Sequence, residues 1–406
     1  MKGNVIVGQS GGPTAAINAT LSGVIRGAKK AVADGAVEKI YGMRNGIEGF
    51  MQERLVDLDA TFASLSDLSL LEATPAAALG SCRKKLPAPE LGNETYEKIF
   101  SLFEKYNIRY FFYIGGNDSM DTVAKLTQYA KMTGHELRAV GVPKTIDNDL
   151  AATDHTPGFG SAAKYIATTI SEILCDTAVY QIPAVTIVEI MGRDAGWLTT
   201  AAALPSLHGK GVDYIYLPEV PFSIDAFIED VKKALERHPN VTIAVSEGIR
   251  DKDGNYISAS GAKDNFGHVQ LTGAGRVLEA LVRDRIGCKV RSIEISLMQR
   301  CAAHLASLTD IQESVQTGEA AVNFALLGRV GTMVCIKRYE GEKYETYFEA
   351  LDVASIANAV RSVPLEYINE EHNGVTQACI DYLAPLIIGE LPIIYKNGMP
   401  LHFYFD

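Results

Sequence analysis

Residues 4–19 read NVIVGQSGGPTAAINA, an apolar run that ends in a glycine loop and passes into a helical pattern. A strand, a glycine turn and a helix in that order make the first half of a βαβ unit. The glycines leave backbone N–H groups open and the helix N-terminus adds positive potential, so the element is either a phosphate cradle or a plain βα turn. It is neither a GxxxxGK[ST] loop, which occurs nowhere in the chain, nor a GxGxxG fingerprint, whose spacing is missing. GFGSAAK (158–164) comes nearer to the fingerprint, but it follows TDHTP rather than a strand.

The same alternation recurs outward from this stretch. YFFYIGG (110–116) opens into GGNDS (115–119), RAVGV (138–142) into PKTIDND (143–149), AVTIVEIM (184–191) into MGRDAG (191–196), and TIAV into SEG (246–248). Short continuous apolar strands alternating with helices predict an α/β fold whose parallel sheet is covered on both faces. In such folds ligands bind beyond the carboxyl ends of the strands, where these five polar tips fall. Five such tips make one composite site the economical reading. After about residue 340 the rhythm weakens, and YETYFEALDVASIANAVRSV (344–363) reads as a peripheral extension.

Composition narrows the function. With 406 residues the chain is long enough for two to three domains, and 47% hydrophobic with 21% charged residues is ordinary for a soluble protein. A net charge of −11 argues against general nucleic-acid binding but leaves room for a local basic pocket. No apolar run approaches the roughly 18 residues of a membrane span, and the N-terminus lacks the features of a signal peptide. Six scattered cysteines without a CxxC pair suggest reduced thiols and a cytoplasmic location, not a zinc site.

PKTIDND is the most informative tip. A hydroxyl attacking phosphorus needs a base for its proton and cations for the phosphoryl oxygens. Asp147 suits the base, Lys144 the cation, and Asp149 an orienting or metal-linked carboxylate. The bland alternative is an Asx-rich turn with structural ion pairs. Asn117 and Asp118 in GGNDS offer oxygen donors to Mg2+, or else a helix cap. Arg193 in MGRDAG is a phosphate clamp or a surface ion pair. GSCRKKLP (80–87) is a basic run that captures an anion or simply faces water.

Taken in order, GQSGGPTAAIN, LGSCRK, GGNDSM, PKTIDND, MGR, SEG and QR (299–300) closely resemble the phosphofructokinase family, from residue 4 to about 335. The resemblance implies two Rossmann-like lobes with the active site between them, and Mg2+-assisted phosphoryl transfer to the 1-hydroxyl of fructose 6-phosphate. It implies a donor-binding lobe from residues 1–160 with about 299–340, a sugar-phosphate lobe from 161–298, and a C-terminal extension, 341–406, packed on both. By position Asp147 matches the catalytic base, and Thr145, with Ile146 beside it, matches a sugar-phosphate contact. Met191, Gly192 and Arg193 match the MGR segment, and Glu247 the carboxylate that holds sugar hydroxyls. Arg291 and Arg300 match 6-phosphate ligands, the first donated across a subunit interface of a homodimer or homotetramer. Gly11, Gly12, Arg83 and Gly116 match the donor-phosphate side.

Donor choice rests on Asp118 and Lys144, which stand where ATP-using members carry glycines. A carboxylate near the α-phosphate position adds bulk and repulsion, and a lysine reaches into the vacated space, so the pair implies pyrophosphate as donor. Four departures from the pattern accompany it. Asn117 replaces the metal-associated aspartate, Leu297 stands where His or Tyr is common, DTAVYQIPAV lacks an arginine, and Ser22 replaces an effector-site arginine.

Overall fold

The computed structural model describes residues 1–263, 269–271, 273–357 and 359–405. Among them, two sheets organise the chain. The larger contains β1 (Gly3–Gln9), β2 (Val37–Met43), β3 (Leu55–Asp57), β4 (Ile108–Gly115) and β5 (Arg138–Pro143). The smaller contains β6 (Ala184–Ile190), β7 (Tyr214–Tyr216), β8 (Asn240–Ser246) and β9 (Lys289–Glu294). The chain then returns to the first sheet with β10 (Thr332–Arg338) and β11 (Thr346–Asp352). The orders are β11-β10-β5-β4-β1-β2-β3 and β9-β6-β8-β7. The second sheet is parallel throughout, and the first is parallel apart from its two outermost strands, β3 and β11.

Alternation along β1 explains the layers. Val5 and Val7 face one buried layer, formed with the helices α1 (Ile17–Ala33) and α5 (Leu308–Leu326). Ile6 faces the opposite layer, formed with the helix Glu94–Lys105 and with α2 (Asn117–Thr133). A strand buried on both faces tends to a continuous apolar run, which is how VIVG (5–8) reads. The smaller sheet is covered likewise, by α3 (Phe159–Thr177) on one face and α4 (Ala274–Arg285) on the other. The helix α1 begins only at Ile17, three residues past Thr14, whose hydroxyl oxygen accepts from the Ala16 and Ile17 N–H groups.

Both sheets reverse their strand order where the functional tips lie. β1 runs between β2 and β4, and β6 between β8 and β9, so each sheet has a crevice at the carboxyl end of its first strand.

The expectation of a peripheral C-terminal extension needs correction. β11 adds an antiparallel strand to the main sheet through a hairpin from β10, so the first lobe continues beyond residue 340. Its sequence, TYFEALD, is only half-buried along its length, and a half-buried edge strand carries no continuous apolar run. Further on, Val363, Cys379, Tyr382 and Leu383 are buried in the core of the second lobe, while Phe403 and Phe405 pack on the first.

Candidate functional site

The tips converge on a cavity of about 320 Å³ between the two sheets. From the first lobe it is lined by Gly12, Pro13, Thr14, Arg83, Lys144, Thr145, Ile146 and Asp147. The loop after β1 turns through Gly11, whose φ of 77° is left-handed and favours glycine. Ser81 holds the loop by donating to the Gly11 carbonyl at 2.6 Å, and the Gly11 N–H donates to the Cys82 carbonyl at 3.1 Å, which brings Arg83 alongside. Lys144 directly follows β5. Its N–H donates to the Gly115 carbonyl at 3.0 Å, and its buried ammonium donates to the Gly12 carbonyl.

Met191, Arg193, Asp194 and Glu247 line the opposite wall, with Arg300 completing it. The Gly192 N–H donates to a Glu247 carboxylate oxygen at 3.3 Å, and Ser246 donates to the Gly192 carbonyl at 2.5 Å. A side chain at Gly248 would place its Cβ 2.0 Å from the Arg193 carbonyl oxygen, so the glycine lets the MGR and SEG tips touch. Gln299, next to Arg300, accepts from the Met191 N–H at 3.3 Å. Arg193 has a buried Nε–H with no protein acceptor.

Four cations therefore face three carboxylates in a protein that is acidic as a whole. Burial pushes the Lys144 ammonium down to about 8, against the attraction of Asp147. Burial also raises the Asp147 carboxyl well above the ordinary carboxylate range, helped by the nearby Asp149 and Glu247 charges and opposed by Lys144. Asp149 and Glu247 are raised too, chiefly by burial. A raised carboxylate beside a depressed ammonium in a cleft makes this pair the candidate for acid–base chemistry.

The structure does not bring every expected residue into the cavity. Gly11 and Gly116 lie just behind it: a Cβ on Gly11 would sit 3.5 Å from the Lys144 Nζ, and one on Gly116 3.7 Å from the Lys144 carbonyl oxygen. Gly192 acts through its bond to Glu247. The metal pair divides, since consecutive helical residues point about 100° apart. Asn117 has a buried side-chain oxygen without a partner, whereas Asp118 is largely exposed and ion-paired with Lys85 at 3.1 Å. Asp118 thus lies outside the cavity lining. Arg291 is also elsewhere, exposed on the edge strand β9 opposite Thr186. Sequence reasoning passed over Pro13, Thr14 and Asp194, although all three belong to quoted motifs. It also passed over Arg361 and Tyr382, which touch the PKTIDND turn and carry no local motif.

A cleft between two doubly covered parallel sheets, lined by cations around a raised carboxylate, defines an α/β protein built to handle phosphate esters or anhydrides. The phosphofructokinase family model matches residues 4–325. The pyrophosphate–fructose 6-phosphate 1-phosphotransferase of Halomonas elongata is 40% identical over 400 residues, covering 98% of this chain and 94% of its own. That of Xanthomonas campestris is 40% identical over 406 residues, covering 98% and 95%. The crystal structure of the pyrophosphate-dependent phosphofructokinase from Nitrosospira multiformis superposes with a TM-score of 0.89 at 36% identity, covering 99% of this chain and 96% of that one. The chain belongs to the phosphofructokinase family.

Proposed function

We propose that this protein transfers a phosphoryl group from pyrophosphate to the 1-hydroxyl of fructose 6-phosphate, reversibly, giving fructose 1,6-bisphosphate and phosphate. The observation that carries this reading is the pairing of buried Lys144 with raised Asp147 inside a cavity ringed by Arg83, Arg193 and Arg300. Asp147 accepts the proton of the 1-hydroxyl as that oxygen bonds to phosphorus. The bridging P–O bond of pyrophosphate breaks, and phosphate leaves toward Lys144 and Arg83. Arg193, whose Nε–H lacks a protein acceptor, neutralises the phosphoryl in flight. Glu247 orients the sugar hydroxyls and Arg300 holds the 6-phosphate.

Mg2+ belongs to the same proposal. Among the described residues no three His, Cys, Asp or Glu side chains form a metal cage. That suits a cation held mainly by phosphate oxygens. The partnerless Asn117 oxygen and the Asp149 carboxylate are hard donors that would complete its shell, leaving Asp147 free as the base. Bound there, Mg2+ would neutralise charge on the pyrophosphate oxygens.

Self-association as a homodimer or homotetramer is part of the proposal, because Arg291 stands outside its own chain's cavity and would serve a neighbour's. The six cysteines are free thiols, which supports a cytoplasmic location, and no helix among the described residues is long and apolar enough to cross a membrane. The test is one assay with pyrophosphate or ATP as donor and fructose 6-phosphate or sedoheptulose 7-phosphate as acceptor, run over a dilution series. Turnover with pyrophosphate and fructose 6-phosphate, falling as the assembly dissociates, is expected. No product with either donor would leave a sugar-phosphate sensor, and preference for ATP would reverse the donor assignment.

A further inference from the structure

The turn that carries Asp147 is held from behind by a part of the chain far away in sequence. Asn148 takes a left-handed φ of 54°, a conformation asparagine adopts more readily than most residues, and its side chain is held from two sides. Its side-chain amide donates to the Tyr382 hydroxyl oxygen at 3.0 Å, and its side-chain oxygen accepts from the Thr156 N–H at 3.1 Å. The Tyr382 hydroxyl donates onward to the Asp154 carbonyl at 2.7 Å. The Arg361 N–H donates to the Asp149 carbonyl at 2.8 Å, and Leu150 forms a β-bridge with Val360. Both sides of the loop that follows Asp147 are therefore pinned by residues 360–382.

The same segment also grips the opposite wall of the cavity. The Trp197 indole N–H donates to the Arg361 carbonyl at 3.0 Å, and the Arg361 guanidinium lies over the Trp197 ring at 4.4 Å. That guanidinium also donates to the Asp154 carbonyl at 2.6 Å. The Val363 N–H and the Gly196 N–H, at 2.9 and 2.8 Å, donate to one oxygen of Glu219. Gly196 and Trp197 close the MGRDAGW tip that presents Arg193. Residues 361–363 thus connect the turn bearing the base with the tip bearing the phosphoryl clamp, and Asn148 and Tyr382 are buried.

We propose that the C-terminal segment, through Arg361 and Tyr382, is a positioning element that sets Asp147 against Arg193 across the two lobes. This inference rests on the proposed roles of Asp147 and Arg193. Neither Arg361 nor Tyr382 lines the cavity, so removing either misplaces the reacting groups while leaving the cavity wall complete. Small misplacements of aligned groups cost much in rate and little in ground-state binding.

The experiment is steady-state kinetics of Tyr382→Phe and Arg361→Met in both directions of the pyrophosphate reaction. The first removes the hydroxyl between Asn148 and Asp154, and the second removes the guanidinium from Asp154 and Trp197 but keeps the main-chain bonds. Each variant is expected to lower kcat roughly ten- to hundredfold while KM for both substrates stays within about twofold. A folded Tyr382→Phe with parental kcat, or one whose loss lies entirely in KM, overturns the inference. If a variant does not fold, amide exchange of the unmodified protein decides the matter. Peptides covering 148–154 and 359–364 should then become protected together when fructose 6-phosphate is added. Protection of the first alone overturns the inference. An unmodified protein without pyrophosphate activity would instead sink the functional reading on which this one rests.

Discussion

Lys144 and Asp147 occupy one short turn, and burial drives their protonation in opposite senses. Asp147 works as a base only when unprotonated. Its raised pKa therefore moves the acid limb of kcat/KM upward, well clear of the ordinary carboxylate value of about 4. As pH falls through that raised pKa, the rate falls with it. Lys144 works only as an ammonium, and with its pKa lowered to about 8 the hold on pyrophosphate weakens as pH rises through that value. The predicted profile is a bell. Asp147→Asn should remove the acid limb and cost about two to four powers of ten in rate. A parental enzyme whose acid limb lies near 4, or an Asn variant that keeps the limb, contradicts the assignment. Asp118 stands outside the cavity lining, ion-paired with Lys85, and that side-chain direction is something the motif alone does not give.

At the scale of elements, α1 and α5 cross with almost no side chain between them. A Cβ on Gly23 would sit 2.0 Å from the Val315 carbonyl oxygen, and one on Gly318 2.3 Å from that of Thr20. The two helices cover one face of the main sheet, and α1 follows directly from the loop that carries Gly12. Gly23→Val should therefore destabilise the fold by about 1–3 kcal/mol by overpacking. Denaturant unfolding checks this, and an unchanged midpoint contradicts the close crossing. Neither glycine announces the contact in sequence, because a helix interior that accepts glycine looks the same whether it is packed or exposed. The buried strands were legible for the opposite reason: VIVG, YFFYI and AVGV are continuous apolar runs because both faces are covered. β11 was not legible, since TYFEALD sits half-buried at an edge.

For the molecule as a whole, the legible part of the site was local and the illegible part was long-range. PKTIDND, MGR and SEG each carry their chemistry within a few residues, and the cavity gathers Lys144, Asp147, Arg193 and Glu247 as those motifs imply. Arg361 and Tyr382 reach the same turn across more than two hundred residues of chain, and only packing reveals them. The central claim is that one cavity moves a phosphoryl group directly between pyrophosphate and a sugar, with Asp147 taking the proton. Phosphorus NMR magnetisation transfer between phosphate and pyrophosphate at equilibrium, with fructose bisphosphate and Mg2+ present, tests it most directly. The account predicts exchange that requires the sugar and disappears in Asp147→Ala. Exchange without sugar, or at the parental rate in Asp147→Ala, would contradict it.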